Sequence, residues 1–274
     1  MTKGSSFRRI RLKAPWEISL LRAANQVVAE VLNHLKELIS PGISTWDLDK
    51  IAEEHIRQAG CEPAFKGYHG YPATICISIN DEIVHGIPSK KRVLNAGDLV
   101  SIDVGTIRQG YFGDAAFSQF VSGSDDSHPQ EDVRRLLDTT REALYLAIGR
   151  IRPKRHLGDI GATIEAYALE RDLGVVRQFV GHGIGTSLHE PPEVPNYGIK
   201  GTGPLLKKGM VIAIEPMFTL GSPDVRVLQD GWTAVTRDGS WAAHFEHTIA
   251  ITDRGAEILS DGFLEPPDFF VDQT

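Results

Sequence analysis

Four acidic residues in this sequence stand where ionised side chains are costly. Asp103 closes the apolar run Leu99-Val100-Ser101-Ile102, and Asp114 lies within Tyr-Phe-Gly-Asp-Ala-Ala-Phe. Glu215 closes Val211-Ile212-Ala213-Ile214, and Glu246 lies within His-Phe-Glu-His-Thr-Ile-Ala-Ile. Each segment has the apolar, β-branched character of a buried strand. A carboxylate there loses its hydration and is tolerated only when paired or bound to a cation. No lysine or arginine lies within these runs to pair with it. Clustered carboxylates would also raise one another's pKa. His182, in Val-Gly-His-Gly-Ile-Gly, adds an imidazole, and its flanking glycines are expected to bend the backbone and leave the ring accessible. Four carboxylates and one neutral imidazole balance two divalent cations, and carboxylates bridging ions ~3.5–4 Å apart make a two-metal hydrolytic centre. Co, Mn, Fe and Zn all suit such a donor set. Taken singly, each residue has a plainer reading: Asp103 as a strand-end turn residue, His182 as a structural histidine, Glu246 and His247 as a surface pair. The five together favour the metal site.

These residues need elements that bring them together. Asp103 and Asp114 flank a turn near Ile107-Arg108-Gln109-Gly110. With Arg108 and Gln109 as the two turn residues, Asp103 would pair directly with Asp114, the Cβ atoms ~4.5–5.5 Å apart on one face. A repeat then links this hairpin to the second half of the chain. Leu94 to Asp103 aligns with Leu206 to Glu215 at an offset of 112 residues, and the same offset places Pro41 on Pro153 and Asp47 on Asp159. Two pseudo-symmetric halves, each running helix, helix, then strands, would carry Asp103 and Glu215 into one central space. Hydrophobic periodicity predicts helices over 15–39, 46–59, 131–150 and 157–172. It predicts strands over 73–80, 98–104, 111–121, 175–181, 210–220, 225–236 and 243–252. The fold class is α+β. A polar loop is expected over 122–130, and no linker separates independent domains. Residues 1–274 therefore read as a single catalytic domain, with a short N-terminal extension (1–12) and a loosely held C-terminal tail (263–274).

The rest of the sequence limits the setting. A formal charge of -7 over 274 residues argues against a broad phosphate-binding surface, so no direct nucleic-acid role is expected. Two cysteines, Cys61 and Cys76, are too few for a secreted disulfide framework. The basic start is followed by an amphipathic pattern and not by a continuous apolar stretch, and no segment reaches the ~18 apolar residues of a membrane span. The expectation is a cytoplasmic protein without membrane contact.

At the residues that carry the chemistry, the chain closely resembles the type I methionine aminopeptidases of the pita-bread fold. The resemblance runs from about residue 10 to about 260. It includes YHGYPATICISIN, EIVHGIP, the DVG…YFGD hairpin, VGHGIGTSLHEPPEVPNYG, MVIAIEPM and FEHTIAIT. It implies two halves around a central curved antiparallel sheet flanked by helices. It also implies that Asp114 and Glu246 bridge two divalent ions, that Asp103 completes one shell, and that His182 and Glu215 complete the other. Glu215 would also act as general base, His85 would contact the substrate and assist proton transfer, and His189 would hydrogen-bond the scissile carbonyl or its oxyanion. Tyr68, His69, Tyr71, Cys76 and Trp232 would line the methionine pocket. Leu188 stands where many relatives carry an aromatic residue, and Phe65 and Val84 stand where some carry cysteine; these changes bear on pocket shape. The activity implied is removal of the initiator methionine from nascent chains at the ribosome, favouring small second residues; a monomer is expected as the simpler assembly. Two alternatives stand beside it: a proline-specific aminopeptidase or dipeptidase of the same fold, and a catalytically inactive binding module.

Overall fold

The computed structural model describes residues 10–123 and 130–271. Most of the extension over 1–12, most of the loop over 122–130 and the last three residues of the tail lie outside the described residues. The first half runs α1 (Pro15–Leu38), α2 (Thr45–Gln58), β1 (Glu62–Pro63), β2 (Ile75–Ile79), β3 (Glu82–Val84), β4 (Leu99–Arg108) and β5 (Tyr111–Phe120). The second runs α3 (Glu131–Arg150), α4 (Gly158–Leu169), β6 (Gly174–Val175), β7 (Gly181–Gly183), β8 (Glu190–Val194), β9 (Val211–Ile214), β10 (Met217–Thr219), β11 (Val225–Val227), β12 (Ala234–Thr236), β13 (Ala242–His244), β14 (His247–Ile251), β15 (Ala256–Ile258) and α5 (Asp268–Val271).

Sequence explains where these elements begin. Pro15 opens α1 with a preset φ, and the Glu17 carboxylate accepts the Ala14 N–H at 2.9 Å. Ser44 caps α2 by accepting the Asp47 N–H at 3.1 Å. The apolar stripe of α1 (Leu21, Ala24, Val28, Val31, Leu32 and Leu35) is fully buried against β4 and β5. Each buried leucine there contributes roughly 1.5–3 kcal/mol. In α3, Leu136, Ala143, Leu144, Ala147 and Ile148 join the core cluster that holds Val28, Val31, Leu32 and Leu35 of α1, and α4 adds Ile160 and Ile164.

The repeat seen in the sequence is a repeat of hydrogen bonds. Gly42 N–H donates to Leu94 O (2.8 Å) in the first half, and Lys154 N–H donates to Leu206 O (3.2 Å) in the second. Leu94 N–H returns to Ile43 O, as Leu206 N–H returns to Arg155 O. The bridge between Ser44 and Val93 has its counterpart between His156 and Leu205. Every one of these pairs keeps the same offset, so the two halves share one local architecture.

All strand pairings are antiparallel. The sheet expected at the centre is divided into hydrogen-bonded sections. In the first, β4 is flanked by β1, β2 and β5; the second has the order β15-β14-β9-β7-β8; two three-stranded sections are β13-β10-β6 and β11-β12-β3. The two larger sections meet where Glu246 N–H donates to Ala116 O at 2.9 Å and Thr248 Oγ1 donates to Asp114 O at 2.7 Å. Four strands expected from the sequence are in fact broken: 175–181 divides between β6 and β7, 225–236 folds back as the antiparallel pair β11–β12, and the other two break beside the acids. The run 210–220 divides at Glu215-Pro216, because proline has no N–H to continue a ladder. The run 243–252 divides at Phe245-Glu246.

Two further expectations need correction. The tail is not loosely held over its described part: Phe263 and Leu264 are buried, and the Phe270 ring sits 4.9 Å from that of Tyr145. The hairpin register is also shifted. Arg108 pairs with Tyr111, so Gln109 (φ 50°) and Gly110 (φ 79°) make the turn. Both central positions are left-handed, as a two-residue hairpin turn with the strands' own twist requires, and glycine suits the second. Asp103 therefore opposes Ala116, and Asp114 opposes Gly105. The two aspartates are diagonal neighbours, still on one face because the partner moved by two residues.

Candidate metal centre

The elements deliver the acids to one place. Asp103 and Asp114 project from β4 and β5, and Glu215 and Glu246 stand at the two strand breaks, between β9 and β10 and between β13 and β14. His182 sits at the middle of β7. Its glycines act differently from the expectation. Neither has a positive φ, and the imidazole is buried, with 7% of the residue exposed. A Cβ on Gly181 would lie 2.4 Å from Ala213 O, and one on Gly183 would lie 2.3 Å from Pro191 O. The glycines let the neighbouring backbones close around the histidine.

At the centre, ligand atoms of Asp114, His182 and Glu246 all lie within 4.8 Å of one another. His182 Nε2 is 3.7 Å from Asp114 Oδ2 and 3.6 Å from Glu215 Oε1. Among the described residues, Asp114 and Glu215 have only imidazoles as ion-pair partners, Asp103 and Glu246 have none, and Asp103 Oδ1, Asp114 Oδ1 and Glu246 Oε1 are buried without any hydrogen-bond partner. Burial pushes all four carboxyl groups up; the charge of Glu246 and then Asp103 adds to this at Asp114, that of Asp114 and then Asp103 at Glu215, and that of Glu215 and then Asp103 at Glu246. Burial, followed by the nearby His189, pushes His182 down to about 3, so its Nε2 is free to act as a lone-pair donor. Orphaned oxygens aimed at one another, with a neutral imidazole beside them, fit divalent cations and are poorly explained without them.

These groups floor a cavity of about 570 Å³. Every site residue anticipated from the sequence lines it: Tyr68, His69, Tyr71, Cys76, His85, Asp103, Asp114, His182, His189, Glu215, Trp232 and Glu246. Phe65, Val84 and Leu188 line it as well. The apolar wall is orderly. Tyr71 donates its hydroxyl between the carbonyls of Ile75 and Gly86, both at 3.0 Å, and its ring meets Trp232 edge-on at 5.1 Å. Cys76 is the direct cross-strand neighbour of Asp103, which puts its thiol against the acids, and burial raises it further from ionisation. His85 adopts φ 62° and lies 5.2 Å from Phe179, ring to ring. Burial and then His189 lower its pKa to about 4, which keeps it neutral. His189 Nδ1 and the Tyr68 hydroxyl are hydrogen-bonded at 2.6 Å, leaving Nε2 for another partner. His69 is exposed at the cavity rim, its ring against Tyr68. The loop carrying His189 is pinned by Glu190, which accepts the Thr186 N–H at 2.9 Å and pairs with buried Lys13 at 2.9 Å.

The structure adds three cavity residues that the sequence reading missed, Phe179, Val180 and His244. Strand alternation was the available signal for His244, since it lies two residues before Glu246. His247, by contrast, points away from the centre: it is fully buried, bonded to the Tyr145 hydroxyl and to Ser260 Oγ. It forms no surface pair with Glu246.

Comparison with known proteins points the same way. Residues 19–253 match the model of metallopeptidase family M24. The chain is 47% identical over 248 residues to methionine aminopeptidase 1 of Bacillus subtilis, covering 90% of this chain and 98% of that one. It is 41% identical over 252 residues to the methionine aminopeptidase of Escherichia coli, covering 92% and 94%. The crystal structure of a methionine aminopeptidase from Thermotoga maritima superposes with a TM-score of 0.90 at 46% identity, covering 93% of this chain and 100% of that one. A prolidase from Pyrococcus furiosus shares the fold at a TM-score of 0.71 and 23% identity, with 65% of its length covered.

Proposed function

The chain belongs to metallopeptidase family M24, and from that premise we propose that it removes N-terminal methionine from peptides by hydrolysing the first peptide bond. The observation that carries this reading is the convergence of Asp103, Asp114, His182, Glu215 and Glu246 in one cavity that also has an aromatic wall. The family and the orphaned oxygens imply divalent cations. Two ions fit the charge of the donor set: Asp114 and Glu246 would be shared, Asp103 would complete one shell, and His182 and Glu215 the other. Co, Mn, Fe or Zn each suit these donors. When bound, such cations make water a usable nucleophile near neutral pH and polarise the scissile carbonyl.

The protein's own groups do the rest. Glu215 takes the proton from the attacking water and passes it on. His189 keeps one N–H for the carbonyl oxygen as charge develops there, and Tyr68 holds its other nitrogen. His85 faces the leaving amide nitrogen. Tyr71, Cys76 and Trp232, with Phe65 and Leu188, form the wall for a methionine side chain; a flexible thioether against aromatic edges is a favourable contact. His69 guards the rim. The chain works as one catalytic unit, as a monomer, on peptides and nascent chains with a free N-terminal methionine. The proposed compartment is the cytoplasm. Two buried free cysteines suit a reducing compartment, and no helix among the described residues is long and apolar enough to cross a membrane. The prolidase likeness concerns the fold alone and brings no proline specificity with it.

The test is metal-dependent cleavage of a Met-Ala-Ser peptide after chelation and controlled return of each ion. Release of free methionine, with an X-Pro dipeptide left intact, is the expected result. Hydrolysis of the X-Pro peptide alone, or cleavage that survives full chelation, would refute the proposal.

A further inference from the structure

Glu215 is bracketed by two imidazoles. Its Oε1 lies 3.6 Å from His182 Nε2, and its Oε2 lies 3.9 Å from His244 Nε2. His244 Nε2 is buried and has no hydrogen-bond partner, and only 3% of its side chain is exposed. The backbones on both sides are fixed. Ser118 Oγ accepts the His244 N–H at 2.8 Å and donates to the His244 carbonyl at 2.9 Å. Asn196 Nδ2 donates to the Glu215 carbonyl at 2.9 Å. The torsions of the Glu215 side chain remain the adjustable part, and rotation through about an ångström brings Oε2 to hydrogen-bond distance from His244.

We propose that His244 is a positioning residue: its Nε2–H donates to Glu215 Oε2 and thereby keeps Oε1 turned toward His182. This rests on the reading above, in which Glu215 and His182 hold a cation together. A carboxylate that binds a cation through one oxygen is oriented by a donor on the other, and such outer partners set metal affinity. Direct ligation by His244 has less support, because the atoms that cluster tightly come from Asp114, His182 and Glu246, and His244 is outside that group. Its place in the cavity wall, two residues before Glu246, puts its Nε2 beside the Glu215 oxygen that is not paired with His182.

The experiment is calorimetric titration of cobalt into metal-free protein, for wild type, His244→Leu and His244→Gln. The glutamine amide nitrogen reaches about as far as an imidazole Nε2 and can donate in its place. His244→Leu is expected to weaken cobalt binding by about 10–100-fold, with circular dichroism and metal-free Tm unchanged, and His244→Gln to recover most of the loss. The visible cobalt absorption should shift in the leucine variant and return in the glutamine variant. Wild-type affinity in His244→Leu overturns the positioning role while leaving the metal centre intact. Equal losses in both variants, with a lowered Tm, assign His244 to packing and also overturn it. Wild-type protein that takes up no cobalt overturns this inference together with the reading beneath it.

Discussion

At the residue scale, the chemistry was legible because acids in apolar strands have few explanations. Asp103, Asp114, Glu215 and Glu246 could each be found from the hydration they give up, and each lies in the cavity floor. His244 was missed for the converse reason: a histidine in a strand has many ordinary explanations, alternation with Glu246 was its one signal in the sequence, and its unpartnered Nε2 is seen only in the structure. Asp114 belongs to the tight group with His182 and Glu246, so Asp114→Ala should abolish tight metal binding and reduce turnover by at least ~10³-fold, as expected for one member of a unit that acts together. Elemental analysis and peptide assay of the same preparation check this. Lys36 offers a prediction away from the centre. Burial lowers its pKa to about 8, with Glu265 opposing the shift and Arg141 adding to it, and its ammonium lies over the Phe117 and Phe263 rings. A depressed lysine binds fewer protons folded than unfolded, so wild-type stability should rise as pH climbs from about 8 toward the unfolded value near ~10.4. Lys36→Met removes that dependence. Its Tm advantage over wild type should be greatest below pH 8 and shrink above it; an advantage independent of pH would refute the assignment.

At the element scale, long periodic segments were read well and short ones poorly. Helices α1 and α3 match their predicted spans within a residue because their apolar stripes persist for many turns. Strands β1, β3, β8 and β15 have two to five residues, too few for alternation to stand out. The hairpin register depended on which residues took left-handed φ, and side-chain pattern alone does not decide that. Two predictions belong here. Gly183→Ala places a methyl where Pro191 O stands, which should cost roughly 1–3 kcal/mol through forced backbone shifts and weaken metal binding by displacing His182. Chemical denaturation with a cobalt titration tests both parts. Glu190→Gln leaves Lys13 buried without its anion, a change worth about 3–5 kcal/mol, and it loosens the loop that carries His189. A variant as stable as wild type would show that the pair contributes little.

At the scale of the whole molecule, the repeat was visible because glycine, leucine and acid recur at one offset, and the hydrogen bonds confirm it. What the repeat did not reveal is where the halves differ. β4 runs unbroken past Asp103, whereas its counterpart stops at Glu215 because Pro216 follows. Asp103 and Asp114 come from one half, and His182, Glu215 and Glu246 from the other, so bound cations would join the two. Cobalt at ~100-fold over its Kd should add about 2.7 kcal/mol to stability and raise Tm by several degrees, with no such rise in Asp114→Ala. Differential scanning calorimetry gives the comparison directly.

The strand breaks at Glu215 and Glu246 carry a mechanical consequence. The chain crosses from the five-stranded section into the three-stranded one between β9 and β10, and crosses back between β13 and β14. Glu215 and Glu246 are therefore the stitches of a seam, and slippage of one section past the other is felt first at their side chains. Cations seated there would rivet that seam. Amide hydrogen exchange in the residues beside both crossings should slow on metal loading, while α2, which supplies none of the donors, should change little.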